Sequence, residues 1–248
     1  MRARHLVAVG ACLGATLMLP AAGPATARGT AACQGEPATI TGMPGGTVTG
    51  TSGRDVIVTN GASVVNALGG ADQICVSGDP DVVLDAGAGD DGVHLNDPGH
   101  VTGSYDGGAG DDTISVTAPD RVALDLGGTL EVGDDFPVPH ADLAGFEDAR
   151  ARADNVQLDG TSGANVLEWN SCVGTMTGGQ GADRLEWAGG GNLCRAHQER
   201  TVGVYGGKGN DRLSGSPWAD VLVGGRGHDV ALGSGGQDRC RAEVERGC

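Results

Sequence analysis

Residues 206–241 read GGKGNDRLS, GSPWADVLV, GGRGHDVAL and GSGGQDRCR, four successive nine-residue units from Gly206 to Arg241. Asp211, Asp220, Asp229 and Asp238 hold the sixth place of each unit, and Leu213, Leu222, Ala231 and Cys240 the eighth. Self-similarity at a fixed period marks stacked repeats, not a mixed globular core. The form GGxGxDxUx, with U apolar, recurs in full at Gly107–Ser115 and Gly178–Glu186, and looser copies begin at Gly50, Ala67, Val76, Ala86 and Gly160. In those copies the eighth residues are Ile57, Ile74, Val83, Val93, Ile114, Leu167 and Leu185, so the column stays apolar while its surroundings drift. An inward-facing row requires such a column.

One unit has a simple physical reading. Its first six residues are rich in Gly, which takes positive φ and turns sharply without a Cβ clash. Its last three form a short strand whose middle side chain faces opposite to its neighbours. Two units then close one 18-residue coil, and stacked coils give parallel sheets on two faces. The expected fold is all-β, a parallel β-roll with a thin aliphatic core. Composition agrees: 47 of 248 residues are Gly and only 3% are aromatic, too few for a conventional enzyme core.

The turns account for the acids. The chain has 24 Asp against 8 Glu, and a formal charge of −16. That charge disfavours nucleic acid and anionic membranes and favours cations. Stacked turns present backbone carbonyls and sixth-place carboxylates, an oxygen-rich set that suits Ca²⁺. Partners lie 18 residues apart, so Asp211 pairs with Asp229 and Asp220 with Asp238, while Asp183 faces the neutral Asn165. Asp72 meets Asp90 or Asp91; Asp55 is one residue short of Asp72; Asp112 has only His94 and Leu130 at that spacing.

Over most of residues 50–128 and 160–241 this pattern resembles the RTX family of hemolysin-type calcium-binding nonapeptide repeats, in the style of small exported bacterial proteins. The resemblance implies a parallel β-roll that binds Ca²⁺ in its turns and folds with it. It places ligands at Asp55, Asp72, Asp81, Asp91, Asp112, Asp183, Asp211, Asp220, Asp229 and Asp238.

The remaining segments set the organisation. Arg2, Arg4 and His5 precede an apolar run from Leu6 to Leu19, and Ala25-Thr26-Ala27 is a small-x-small cleavage site. Residues 1–27 therefore read as a secretory signal peptide, and the protein as secreted and extracellular. The run is too short to span a membrane, and no later one is apolar enough. A first repeat array occupies 28–128, an irregular interruption 129–159, a second array 160–241 with a Cys-bearing insertion near 170–204, and a cap 242–248. The interruption contains GFEDA, with Phe146 placed to plug the core and Glu147 and Asp148 read as a solvated turn. Six cysteines follow the leader and allow 15 pairings; their clustering suggests Cys33–Cys75, Cys172–Cys194 and Cys240–Cys248. Neither GxSxG nor HExxH occurs, and the reading is a calcium-binding protein without catalysis. An extracellular adhesion module with a cell-surface or polysaccharide partner is the alternative. A polysaccharide-active solenoid enzyme ranks behind it.

Overall fold

The computed structural model describes residues 31–78, 81–134, 139–189 and 201–248. The leader, Cys194 and residues 190–200 of the Cys-bearing insertion lie outside these. Among the described residues every regular element is a strand, and no helix is long and apolar enough to cross a membrane. The chain is a parallel β-roll. A front sheet of eleven strands runs from Ile40–Thr41 to Val244–Arg246, and a back sheet of twelve from Thr47–Thr49 to Arg239–Arg241. Each coil contributes one strand to each. Thus Arg212–Ser214 lies in front, Val221–Arg226 behind, and Val230–Leu232 in front again, one coil on.

Register stacks like on like. Leu185 pairs with Leu213, and Leu213 with Ala231. On the same face Ile57, Ile74, Val93, Ile114, Ala149 and Leu167 are fully buried. Leu124, Leu158, Met176, Val204 and Leu222 answer them from the back sheet, each no more than 1% exposed. Trp169, Tyr105 and Phe146 are the largest buried side chains. Each buried aliphatic contributes about 1.5–3 kcal/mol, and one coil supplies only a few, so stability comes from stacking.

One expected unit is out of register. Asp81–Asp85 is a strand with strict exposed–buried alternation. Val82 and Leu84 face the core, while Val83 is 55% exposed. The residue placed in the inward column is therefore on the outside. A one-residue slip in a strand exchanges its faces.

The interruption widens the roll without breaking it. Arg121–Asp125, Thr129–Val132 and His140–Ala144 form an antiparallel meander inside the back sheet. Its first strand pairs parallel with Asn155–Asp159 and its last with Thr102–Asp106. The front sheet passes this point on Thr113–Thr117 alone, which pairs with Gly92–Asn96 on one side and Asp148–Arg152 on the other. The back is wider here by two strands, roughly 10 Å.

Disulfides close both ends. Cys33–Cys75 pins the hairpin of Ala32–Cys33 and Glu36–Pro37 onto the outer front sheet, where Cys33, Val56, Val58 and Cys75 make a small second core. Cys240–Cys248 fastens the last back strand to the chain end. Cys172 is also disulfide-bonded, and its expected partner Cys194 is outside the described residues.

Candidate metal centre

The sixth-place carboxylates form a ladder along one edge of the roll, just before the front strands. In every step except that between Glu147 and Asn165, a backbone N–H donates to the carboxylate one coil further on. The N–H of Asp55 reaches Asp72 Oδ1 at 2.7 Å, that of Asp72 reaches Asp91 Oδ1 at 2.7 Å, and that of Asp91 reaches Asp112 Oδ1 at 2.8 Å. Asp112 donates to Glu147 Oε2 at 2.9 Å. The Asn165 side-chain amide donates to the Glu147 carbonyl and carries the row on. The N–H of Asn165 meets Asp183 Oδ1 at 3.0 Å, that of Asp183 meets Asp211 Oδ1 at 2.9 Å, and that of Asp211 meets Asp229 Oδ1 at 3.0 Å. Asp229 donates to Glu243 Oε2 at 2.9 Å. On the opposite edge, Asp220 and Asp238 make one such step at 2.9 Å.

Several spacing-based expectations are corrected here. Asp55 and Asp72 meet although 17 residues apart, and Asp72 meets Asp91, not Asp90, at 19. Asp112 is flanked by Asp91 at 21 and Glu147 at 35, and Asp183 reaches Asp211 across 28. Coil length varies because residues are inserted between strands, the meander among them, while the stacking level is conserved. Glu147 is thus a rung of the ladder, not a solvated turn, and Asp148 Oδ1 accepts the Val166 N–H at 2.7 Å. Glu243 was equally missed. The signal for both is an acid immediately before a front strand. Asp81 stands apart: it opens a back strand, exposed, in register with Thr102.

The turns are of two kinds. In the first, Thr or Ser holds the second place. Thr51 donates its N–H and its hydroxyl to Asp55 Oδ2, Thr161 donates the same pair to Asn165 Oδ1, and Ser216 the same pair to Asp220 Oδ2. These turns engage one side-chain oxygen of their own sixth-place residue. In the second kind, the second and fourth places have positive φ: Gly108 and Gly110, Gly179 and Gly181, Gly207 and Gly209, Gly225 and Gly227. Leu68 and Ser234 hold the second place at φ 71° and 75°, without the freedom of Gly. Here no second-place amide or hydroxyl is bonded to the acid. Oδ2 of Asp72, Asp91, Asp112, Asp183, Asp211, Asp229 and Asp238 is buried with no hydrogen-bond partner. Asp220 keeps one such oxygen, Oδ1.

Burial alone makes these groups poor anions. Asp112 is pushed up to about 7, and Asp91 and Asp183 to about 6, chiefly by desolvation and then by neighbouring carboxylates, with an accepted N–H pulling the other way. Asp220 also rises to about 6 by desolvation. Burial raises Asp72, Asp211 and Asp238 too. A buried acceptor without a partner costs about 1–3 kcal/mol, more if charged. Around these oxygens the backbone is close: a Cβ on Gly206 would collide with Asp211 Oδ2 and the Gly224 carbonyl.

A repeated turn, glycines at positive φ and an inward aspartate with one bare oxygen decide the family resemblance. A signature described as the RTX calcium-binding nonapeptide repeat matches in four copies, over residues 105–117 and 205–240. The chain carries RTX repeats. No curated protein matches it. RTX nonapeptide repeats bind calcium ions, and the residues present fit that ion. Each bare Oδ2 is a hard oxygen donor, and consecutive RTX turns bring two carboxylates and several carbonyls together. Among the described residues no three His, Cys, Asp or Glu side chains cluster around one point. The remaining donors would therefore be backbone carbonyls, as hard cations accept.

Proposed function

We propose that this protein is an exported calcium-binding β-roll without catalysis, and that calcium uptake is coupled to closing the coils. One observation carries the reading: every glycine-type turn leaves a bare carboxylate oxygen, whereas at the Thr51 turn both oxygens of Asp55 are hydrogen-bonded and at the Ser216 turn Asp220 keeps one bare oxygen. Four ladder steps join two glycine-type turns, namely Asp72–Asp91, Asp91–Asp112, Asp183–Asp211 and Asp211–Asp229. These are the assigned sites, and Asp220–Asp238 is a mixed one. Calcium supplies positive charge and a common centre for oxygens that the fold otherwise leaves unpaired. The protein supplies the rest: glycines let backbones approach, Oδ1 fixes each carboxylate by the neighbouring N–H, and Oδ2 stays directed inward. Without the ion, facing carboxylates repel and their burial is unfavourable, which favours a loose chain in a calcium-poor compartment. The leader-like residues 1–27 support export. The ladder acids face inward, which withdraws them from any substrate and supports the non-catalytic reading.

A far-UV circular dichroism titration with Ca²⁺, with Mg²⁺ as control and chelator to reverse it, tests the proposal. A cooperative, Ca²⁺-selective gain of β signal is expected. A spectrum fully β-rich in chelator and unchanged by Ca²⁺ would reject the coupling.

A further inference from the structure

We infer that a second, separate site binds an acidic oligosaccharide through its carboxylate or sulfate groups, on the outer back sheet over the second repeat array. The site is an open groove of about 520 Å³, with Gly179, Gly207 and Gly225 as its floor and Lys208, Arg226 and Arg241 among its walls. A pocket of that size lies within the range of small-ligand sites. The three glycines are in register on adjacent strands, so the floor is flat and free of side chains. Gln180, Lys208 and Arg226 form the next row, also in register. Lys208, the sole lysine of the chain, and Arg226 both occupy the third place of a glycine-type turn.

The charge is out of keeping with its surroundings. The protein is formally −16, yet no acid lines this groove. Five arginines outside the groove are answered, Arg54 by Glu36, Arg121 by Glu131, Arg150 by Glu168, and Arg184 and Arg212 by Glu186, whereas Arg152, Arg239 and Arg246 have no ion pair among the described residues. Among the described residues Lys208, Arg226 and Arg241 make no ion pair within 4.0 Å; Lys208 Nζ donates to Gln180 Oε1 at 3.4 Å. Asp211 and Asp229 belong to the same turns but are buried on the inner side. Three cations held together without counter-charge repel, and an anion on the glycine floor relieves that. Cations one strand apart are spaced on the order of 4.8 Å, which suits a chain of charged sugar units. The negative whole disfavours a long polyanion such as nucleic acid.

Calorimetric titration of the calcium-saturated protein with a chondroitin sulfate tetrasaccharide tests this. Cellotetraose, inorganic sulfate and a single-stranded oligonucleotide are the comparison ligands, and circular dichroism is read on the same samples. Saturable binding of the sulfated sugar is expected, weakened about tenfold or more in Lys208→Ala/Arg226→Ala, weakened by salt, and unchanged in Arg54→Ala. No binding, equal binding by the double variant, equal binding of cellotetraose, or binding confined to sulfate or oligonucleotide would each overturn it. A normal calcium response with no sugar binding rejects this site and leaves the calcium reading intact.

Discussion

At the scale of single residues, the second place of the turn decides what the sixth-place acid does. Thr51 and Ser216 spend their N–H and hydroxyl on it; Gly207 and Gly225 do not. Asp211→Ala removes the acceptor of the Asp183 N–H and one bare oxygen at two steps. The calcium midpoint followed by circular dichroism should rise about tenfold or more, from the loss of a charge-assisted hydrogen bond and an ion ligand. An unchanged midpoint would remove Asp211 from the sites. Gly207→Ala should be worse than its size suggests. Its φ is +110° and the new Cβ would strike the Gly179 carbonyl. A loss of about 2–5 kcal/mol in chemical denaturation is expected; a wild-type midpoint would contradict the stacking geometry. Much of this was legible in the sequence. The apolar eighth place marked Ile57, Ile114 and Leu213 as core, because an inward row tolerates nothing else. Val83 failed the same rule because an apolar residue on an outer strand face looks no different in sequence.

At the scale of the turn and its strand, protons compete with metal. Asp112, Asp91 and Asp183 are held above the unfolded carboxylate range near 3.9 by burial. The folded, metal-free turns therefore bind more protons than the unfolded chain between about pH 4 and pH 7. Their stability in chelator should rise as pH falls through that window and gain nothing further below it. In calcium the carboxylates must be ionised, so the calcium-induced rise in melting temperature should shrink from pH 8 to pH 5. Melting curves at both pH values, with and without calcium, check both signs. A metal-free protein more stable at pH 8 would reverse the argument. Ladder partners at this scale were only partly readable. Fixed 18-residue spacing found Asp211–Asp229, but Glu147 and Glu243 were hidden because one follows a coil lengthened to 35 residues and the other a coil shortened to 14, which no fixed period records.

At the scale of the whole roll, neighbouring coils share every stabilising contact, so sites should not titrate alone. At 100-fold excess over its dissociation constant, one independent site stabilises by about 2.7 kcal/mol. Several coupled sites should raise the melting temperature together, in one transition. Calorimetry showing a separate transition for each array would place a break at the back-sheet meander, where the front sheet is continuous. The direction of the ladder has a consequence of its own. Each backbone N–H points to the carboxylate of the following coil in two runs, from Asp55 to Glu147 and from Asn165 to Glu243, with the join between Glu147 and Asn165 made in the other direction by the Asn165 side chain. Each run is one-way, like links that each wait for the next. A chain threading through a membrane from its amino end would arrive with its newest turn always unmet, and each coil would be locked only by its successor. Assembly from the amino end therefore runs with the direction of these bonds, each later acid sealing the coil before it.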